Sequence, residues 1–256
     1  MRRAFLEAAS FARHRAAFGQ PVGSFPLVRE QLAVMKTEEQ AALSSTMALT
    51  GMLTQLDEDR ADEAVAGAFR LLVNANKYVT STGATDVARR GIEVLGGNGT
   101  IEDFSPLPRL YRDAIVFESW EGTHNVLCAQ VLRDCTRFGI HEHLLSWMRT
   151  ELAGAGDIAA EAQAVSVALE RLEPRLRRSI ADPAHGAAHF RRQLELLVRA
   201  VQATCLLTES AAEGAGSAKA AATALFVRRH LVPGHLPDDD PEWSRLVDDA
   251  LAGDAG

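Results

Sequence analysis

Along the chain, alanine and leucine return every third or fourth position among glutamates and arginines, and β-branched alternation over five or more residues is hard to find. The pattern predicts an all-α protein. Its first amphipathic run, Met1-Arg-Arg-Ala-Phe-Leu-Glu-Ala-Ala-Ser-Phe-Ala-Arg-His, has no capping residue ahead of it and reads as a helix whose start is missing. A second helix is expected from an Ser24 N-cap, with Pro26 in the first turn, to about residue 55. Leu27, Leu32, Met35, Leu43 and Met47 are its expected apolar face. A third helix, about 61 to 95, should stop at Gly96-Gly-Asn-Gly99. Residues 100 to 117 contain prolines and are predicted irregular, with a helix resuming near Thr123 and ending near 137.

Further helices are predicted over 140–153, over 157–180 with Pro174 as a kink or break, over 184–213 and over 217–231. A short last one should follow Asp240-Pro241, read as an N-cap and first-turn pair. The expected organisation is a four-helix bundle over 1–137 followed by a second helical domain over 138–256.

Composition narrows the classes of function. The 256 residues suffice for one large or two modest cores. A net charge of −7 gives no general attraction to nucleic acid or anionic lipid. Acidic residues outnumber basic ones in both halves, and the Glu170–Arg178 and Arg191–Arg199 patterns read as solvated faces. No apolar run is long enough for a membrane span. Cys128, Cys135 and Cys205, without a CxxC pair or a secretory leader, suggest reduced thiols in a cytoplasmic protein. His185 and His189 share a helix face but lack a third ligand, so no metal site is assigned. Lys77 reads as a solvated or helix-supporting cation.

Four short segments carry the candidate chemistry. In Ala12-Arg-His-Arg-Ala-Ala-Phe-Gly19, the cation Arg15, the ring of Phe18 and the bare backbone of Gly19 converge at one turn, which suits a pyrophosphate beside an adenine. The plainer reading makes Arg15 a surface cation and Phe18 part of the core. In Leu95-Gly-Gly-Asn-Gly99 the glycines let backbone amides approach a phosphate, although such a run alone is more often a helix stop. Leu110-Tyr-Arg-Asp-Ala114 reads as structural. In Trp120-Glu-Gly-Thr-His-Asn-Val126, Thr123 can cap a helix, and Glu121 alone reads as a carboxylate near a helix N-terminus.

Together and in this order, the four segments resemble the carboxy-terminal helical domain of the flavin-dependent acyl-CoA dehydrogenases, over about half of the chain. The resemblance implies FAD as cofactor, with Arg15, Phe18, Gly96 and Gly97 against the FAD of a neighbouring subunit. Glu93 stands where the family commonly has glutamine; a carboxylate there accepts hydrogen bonds but donates none and repels a pyrophosphate. Thr123 and Asn125 are implied at the flavin, and Trp120 and Gly122 at an acyl-CoA substrate. Glu121 is implied as the base that takes the α-proton while a hydride leaves the β-carbon, with its amide donating to the thioester oxygen.

An electron-transfer flavoprotein is the implied electron acceptor, and a homo-oligomer or a partner chain completes the assembly. The family's amino-terminal helical and middle β domains are not in the sequence, so the isolated chain is expected to lack flavin and activity. Residues 138–256 are similar in kind to the helical extensions of longer members, including a DNA-associated alkylation-response branch that the acidic balance disfavours. The alternative from another class is a non-catalytic helical assembly module.

Overall fold

A computed structural model describes residues 1–154, 159–214 and 216–252. Helices α1 (Arg2–His14), α2 (Pro26–Asp57) and α3 (Glu63–Leu95) come first, then α4 (Leu107–Ser119), α5 (His124–Phe138) and α6 (Ile140–Ala153). The chain continues through α7 (Ala159–Ala181), α8 (Pro183–Glu213), α9 (Ala218–Leu231) and α10 (Trp243–Leu251). A two-residue ladder, β1 (Ala16–Ala17) with β2 (Gln20–Pro21), is the one sheet among the described residues. All-α is therefore the fold class.

Local chemistry sets most boundaries. Asp62 accepts from the Val65 amide at 2.8 Å and starts α3, and Gly96 ends it at φ +61°. Asp182 accepts from the amides of Ala184 and His185, and Pro183 fills the first turn of α8. Gly139, left-handed at φ +65°, separates α5 from α6.

Three local expectations are overturned, and at Pro174 the expected kink or break is narrowed by the absence of a break. Ser24 caps nothing: it lies in a short 3₁₀ turn, its hydroxyl donates to the Pro21 carbonyl at 2.6 Å, and Phe25 holds the N-cap position of α2. The segment expected to be irregular contains α4, because Pro106 and Pro108 lie at its start, where a missing N–H costs no helical bond. α7 runs through Pro174, and the start expected for it at 157 lies outside the described residues. Helix α10 begins two residues after Pro241, with Glu242 at its N-cap; Asp240 bonds the Glu242 amide, Arg228 and His235.

The face assigned to α2 is also wrong in part. Leu32 and Met35 are buried, but Leu27, Leu43 and Met47 are exposed. α2 packs on α3 along one side and on α8, α9 and α10 along another, so polar residues turn inward and are paired there. Glu38, 6 % exposed, accepts from Arg199 at 2.7 Å and meets His230 at 2.6 Å.

α3 is the central pillar, in contact with α1, α2, α4, α5, α6 and α8. Its principal core joins Leu71, Leu72 and Leu127 to Leu144, Leu172, Leu197 and Phe226, so one apolar interior draws on residues before and after 138. A smaller core, built on Phe5, Met35, Val87 and Leu107, locks α1, α2, α3 and α4 together. The glycine segment closes one end of α3, and the α4–α5 turn packs against its middle.

Candidate functional site

In the α4–α5 turn two consecutive residues take positive φ. Trp120 is extended, Glu121 has φ +54° and Gly122 φ +105°, and Thr123 returns to extended geometry as the N-cap of α5. A side chain other than glycine, asparagine or aspartate in the left-handed region costs on the order of 1–2 kcal/mol. Surrounding contacts must hold it there.

Those contacts come from one face of α3. Lys77, Tyr78, Ser81 and Thr85 are spaced one turn apart or less and all meet the turn or its flanks. Lys77 Nζ donates to the Gly122 carbonyl at 3.0 Å and more weakly to the Glu118 carbonyl at 3.5 Å. The Thr85 hydroxyl bonds Glu118, and the other Glu118 oxygen lies 3.9 Å from His124 Nδ1. His124 is buried; its Nε2 is 3.2 Å from Ser81 Oγ, and its ring stacks at a tilt on Tyr78 with centroids 4.8 Å apart. Burial holds the His124 pKa below its ordinary value, Glu118 opposes this, and Lys77 and Arg191 add to it. Lys77 is thus no solvated cation but the clamp of the turn.

The side chains of the turn face outward. Glu121 is exposed and Trp120 is 53 % exposed. The Trp120 ring meets Phe117 edge-on at 5.4 Å. Phe117 in turn lines an apolar groove of about 320 Å³ between α1, α3 and α4, walled by Ala4, Ala88, Leu110 and Ala114. Thr123 holds the cap position, yet its side chain makes no capping bond. Asn125 Oδ1 accepts from Arg191 Nη1 at 3.1 Å, a contact from α8.

The second group of predicted residues sits elsewhere. Phe18 and Gly19 form the two-residue tip of the β1–β2 hairpin, at φ +52° and φ +86°. Phe18 is 96 % exposed, which removes the reading of it as a core residue, and its ring meets that of Phe25 edge-on with centroids 6.3 Å apart. Arg15, exposed, leads from the end of α1 into this hairpin. Gly96 and Gly97 have open space where a Cβ would stand. Gly99 differs: a Cβ there would lie 2.4 Å from the Ile92 carbonyl oxygen, so its bare backbone serves internal packing. Glu93, exposed, lies 3.4 Å from Arg89, which offsets part of its charge.

Glu93 and the glycines lie at the C-terminal end of α3, roughly 24 Å along the helix axis from Lys77. The predicted residues therefore stand in three places: the strained turn against the middle of α3, Glu93 with the glycines at its C-terminal end, and Arg15 and Phe18 at the hairpin after α1. The partners that sequence reading missed are Lys77 and Arg191. The polar stripe Lys77, Ser81, Thr85 on a helix otherwise rich in buried apolar residues was the available signal for the first. Nothing local marked the second.

Other candidates have structural roles. His185 and His189 stack with centroids 4.5 Å apart, and His185 bonds Ser179. The three cysteines are free and buried, and burial pushes Cys135 and Cys205 up to about 12. Among the described residues no helix is long and apolar enough to cross a membrane.

Comparison with known proteins identifies the family and the fold. Residues 1–136 match the family model described as acyl-CoA dehydrogenase, C-terminal domain. AidB of Escherichia coli K12 is 37 % identical over 155 residues, which is 60 % of this chain and 28 % of that protein. Acyl-CoA dehydrogenase family member 11 of Caenorhabditis elegans is 33 % identical over 133 residues, 52 % of this chain and 21 % of that one. Among solved structures, C. elegans ACDH-11 in complex with C11-CoA superposes with a TM-score of 0.82 at 24 % identity, over 98 % of this chain and 43 % of that one. An FAD complex of an acyl-CoA dehydrogenase from Bacillus anthracis gives 0.71 at 20 % identity, over 98 % and 48 %. The chain thus spans about a quarter of these curated relatives and under half of these structures. With its own domain model matched over more than half of its length, the chain belongs to the acyl-CoA dehydrogenase family, as a carboxy-terminal helical domain.

Proposed function

We propose that this chain carries the base and part of the cofactor cradle of an FAD-dependent enzyme that dehydrogenates an acyl-CoA thioester between its α and β carbons. One observation carries the reading: Glu121 stands on a left-handed backbone whose following carbonyl is pinned by Lys77, a cation from another helix. A carboxylate serving only a helix N-terminus needs no such arrangement.

In this role Glu121 accepts the α-proton, so it must be ionised and aimed without being neutralised. Lys77 meets that demand by bonding main-chain carbonyls of the turn and leaving the carboxylate unpaired with it. The Glu121 amide donates to the thioester oxygen and stabilises the charge that builds there as the proton leaves. The acyl chain lies along the apolar groove towards Phe117 and Trp120, and Gly122 leaves room beside the carboxylate. Because Glu121 and Trp120 are open to water, a further protein surface has to close over the turn before the carboxylate is dry enough to act as a strong base.

The residues present fit FAD. Phe18 offers an uncovered ring to a purine, Arg15 a cation to a pyrophosphate, and Gly96 and Gly97 bare backbone with open space above it. Thr123 keeps its hydroxyl for the flavin side, and Asn125, its oxygen engaged by Arg191, can offer its amide nitrogen. Glu93 borders the cradle as a partly offset charge. FAD held there would supply the hydride acceptor for the β-carbon, with an electron-transfer flavoprotein as the partner that would receive its electrons. The cradle belongs to a neighbouring subunit's cofactor, and the exposed Leu27, Leu43 and Met47 provide apolar surface for that self-association.

The test is Glu121→Gln in the flavin-loaded enzyme that carries this chain. Turnover of acyl-CoA should fall by roughly 10²- to 10⁴-fold, with flavin content unchanged. Full turnover in the variant sinks the reading.

A further inference from the structure

Arg191 lies on α8, outside the residues matched by the family model, and it bonds the first turn of α5 and, on α3, the tyrosine that packs behind that turn. Its Nε donates to the Tyr78 hydroxyl at 3.1 Å, its Nη1 donates to Asn125 Oδ1 at 3.1 Å, and its guanidinium carbon stands 5.3 Å from the Tyr78 ring centroid. We propose that Arg191 is a positioning residue, by which the second half of the chain sets the orientation of the turn that presents Glu121. The inference rests on the role proposed above for Glu121.

The route is short and rigid at each step. Asn125 is in the first turn of α5, three residues past Gly122, so a fixed Asn125 fixes how α5 leaves the turn. Tyr78 is 4 % exposed and stacks on His124, which bonds Ser81 and faces Glu118. Arg191 thus holds the N-terminal turn of α5 from two sides, while Lys77 holds the carbonyl of Gly122. The guanidinium fork is planar and presents its donors at set angles, so two acceptors on different helices fix its plane. A lysine ammonium keeps the charge but has no such fork. Arg191 itself is exposed, so its removal opens no core cavity.

Three measurements on Arg191→Met, Arg191→Lys and Tyr78→Phe separate positioning from plain stabilisation. Native-state amide exchange in residues 120–126 should quicken roughly tenfold in Arg191→Met and Arg191→Lys, with the Phe18 hairpin unchanged. Tyr78→Phe, which deletes only the hydroxyl, should give a smaller change in the same amides. The charged groups that face His124 are Glu118, Lys77 and Arg191, and Glu195 lies near Arg191. NMR titration of the His124 ring should therefore move up in Arg191→Met and stay in place in Arg191→Lys. In the flavin-loaded enzyme, kcat should fall in both Arg191 variants with KM held.

Exchange in 120–126 that stays at the wild-type rate, or that quickens equally throughout the chain, overturns the proposal. Should Glu121→Gln keep full turnover while the exchange results hold, the role of Glu121 is what fails, and the tie between α8 and the turn stands as structure alone.

Discussion

Among the described residues, two turns put a non-glycine residue at positive φ and follow it with a glycine at positive φ: Phe18-Gly19 and Glu121-Gly122. Asp59 is the other such non-glycine residue among the described ones, and aspartate tolerates the conformation. The two turns are held differently. The hairpin is self-contained, built from the backbone ladder between neighbouring residues and one ring contact with Phe25. The Glu121 turn is held from afar, by Lys77 and by the Arg191–Asn125 and Thr85–Glu118 bonds, across 33 to 66 residues of sequence. A local turn presents its side chain wherever the hairpin folds, whereas a turn held by tertiary contacts reports on the packing of the whole bundle. That difference suits an aromatic platform in one case and an aimed carboxylate in the other.

The sharpest way to break the comparison is Lys77→Met. Loss of a charge-assisted bond to a strained turn should cost about 1.5–3 kcal/mol, read by urea denaturation. Amide exchange should quicken in 120–126 and stay constant in the hairpin; equal loosening of both turns would erase the contrast. Phe18→Gly tests the hairpin from the other side. Removing an exposed ring from a left-handed position should stabilise the fold by about 1 kcal/mol, while FAD binding weakens. A loss of stability would mean that the ring packs in the folded state.

The smallest effect is in pH. His124 has a folded-state pKa below its unfolded value, so the unfolded chain binds more protons once the pH drops below about 6.5. Stability is therefore full above that value and is lost as the pH falls towards the folded pKa. Glu118 reduces the effect but does not reverse its sign. His230 and His141 are depressed too, with burial as the largest cause, and they pull in the same direction. The comparison with His124→Gln between pH 7.5 and 5 isolates the His124 share. The variant should lose less stability on acidification, and an unchanged slope would show that His124 does not titrate with folding.

Much of the fold was legible because helix starts and stops carry local chemistry. The glycines stop α3 where they were expected to, and Asp62 and Asp182 supply the caps that start α3 and α8 close to the expected positions. The sequence misled where tertiary packing overrode the local signal. α2 lies against several helices, so Glu38 and Glu39 are inside and Leu43 and Met47 outside, the reverse of what its apolar positions suggest. Prolines 106 and 108 looked like loop residues because a first-turn proline and a loop proline read alike without the helix that follows. The candidate site residues stand in short contiguous motifs, which is why the sequence could propose them. Lys77 and Arg191, which hold them, are joined to the turn only by the packing of α3 and α8, and Arg191 had been assigned to a solvated face.

The central claim, that Glu121 takes the α-proton of an acyl-CoA, is tested most directly by solvent exchange. The flavin-loaded enzyme is incubated with an acyl-CoA in deuterated water without an electron acceptor, and deuterium at the α-carbon is followed by mass spectrometry. The account predicts incorporation with the wild-type enzyme and at least about a hundredfold slower incorporation with Glu121→Gln. Equal rates in the two enzymes would contradict it and would place the base on another residue.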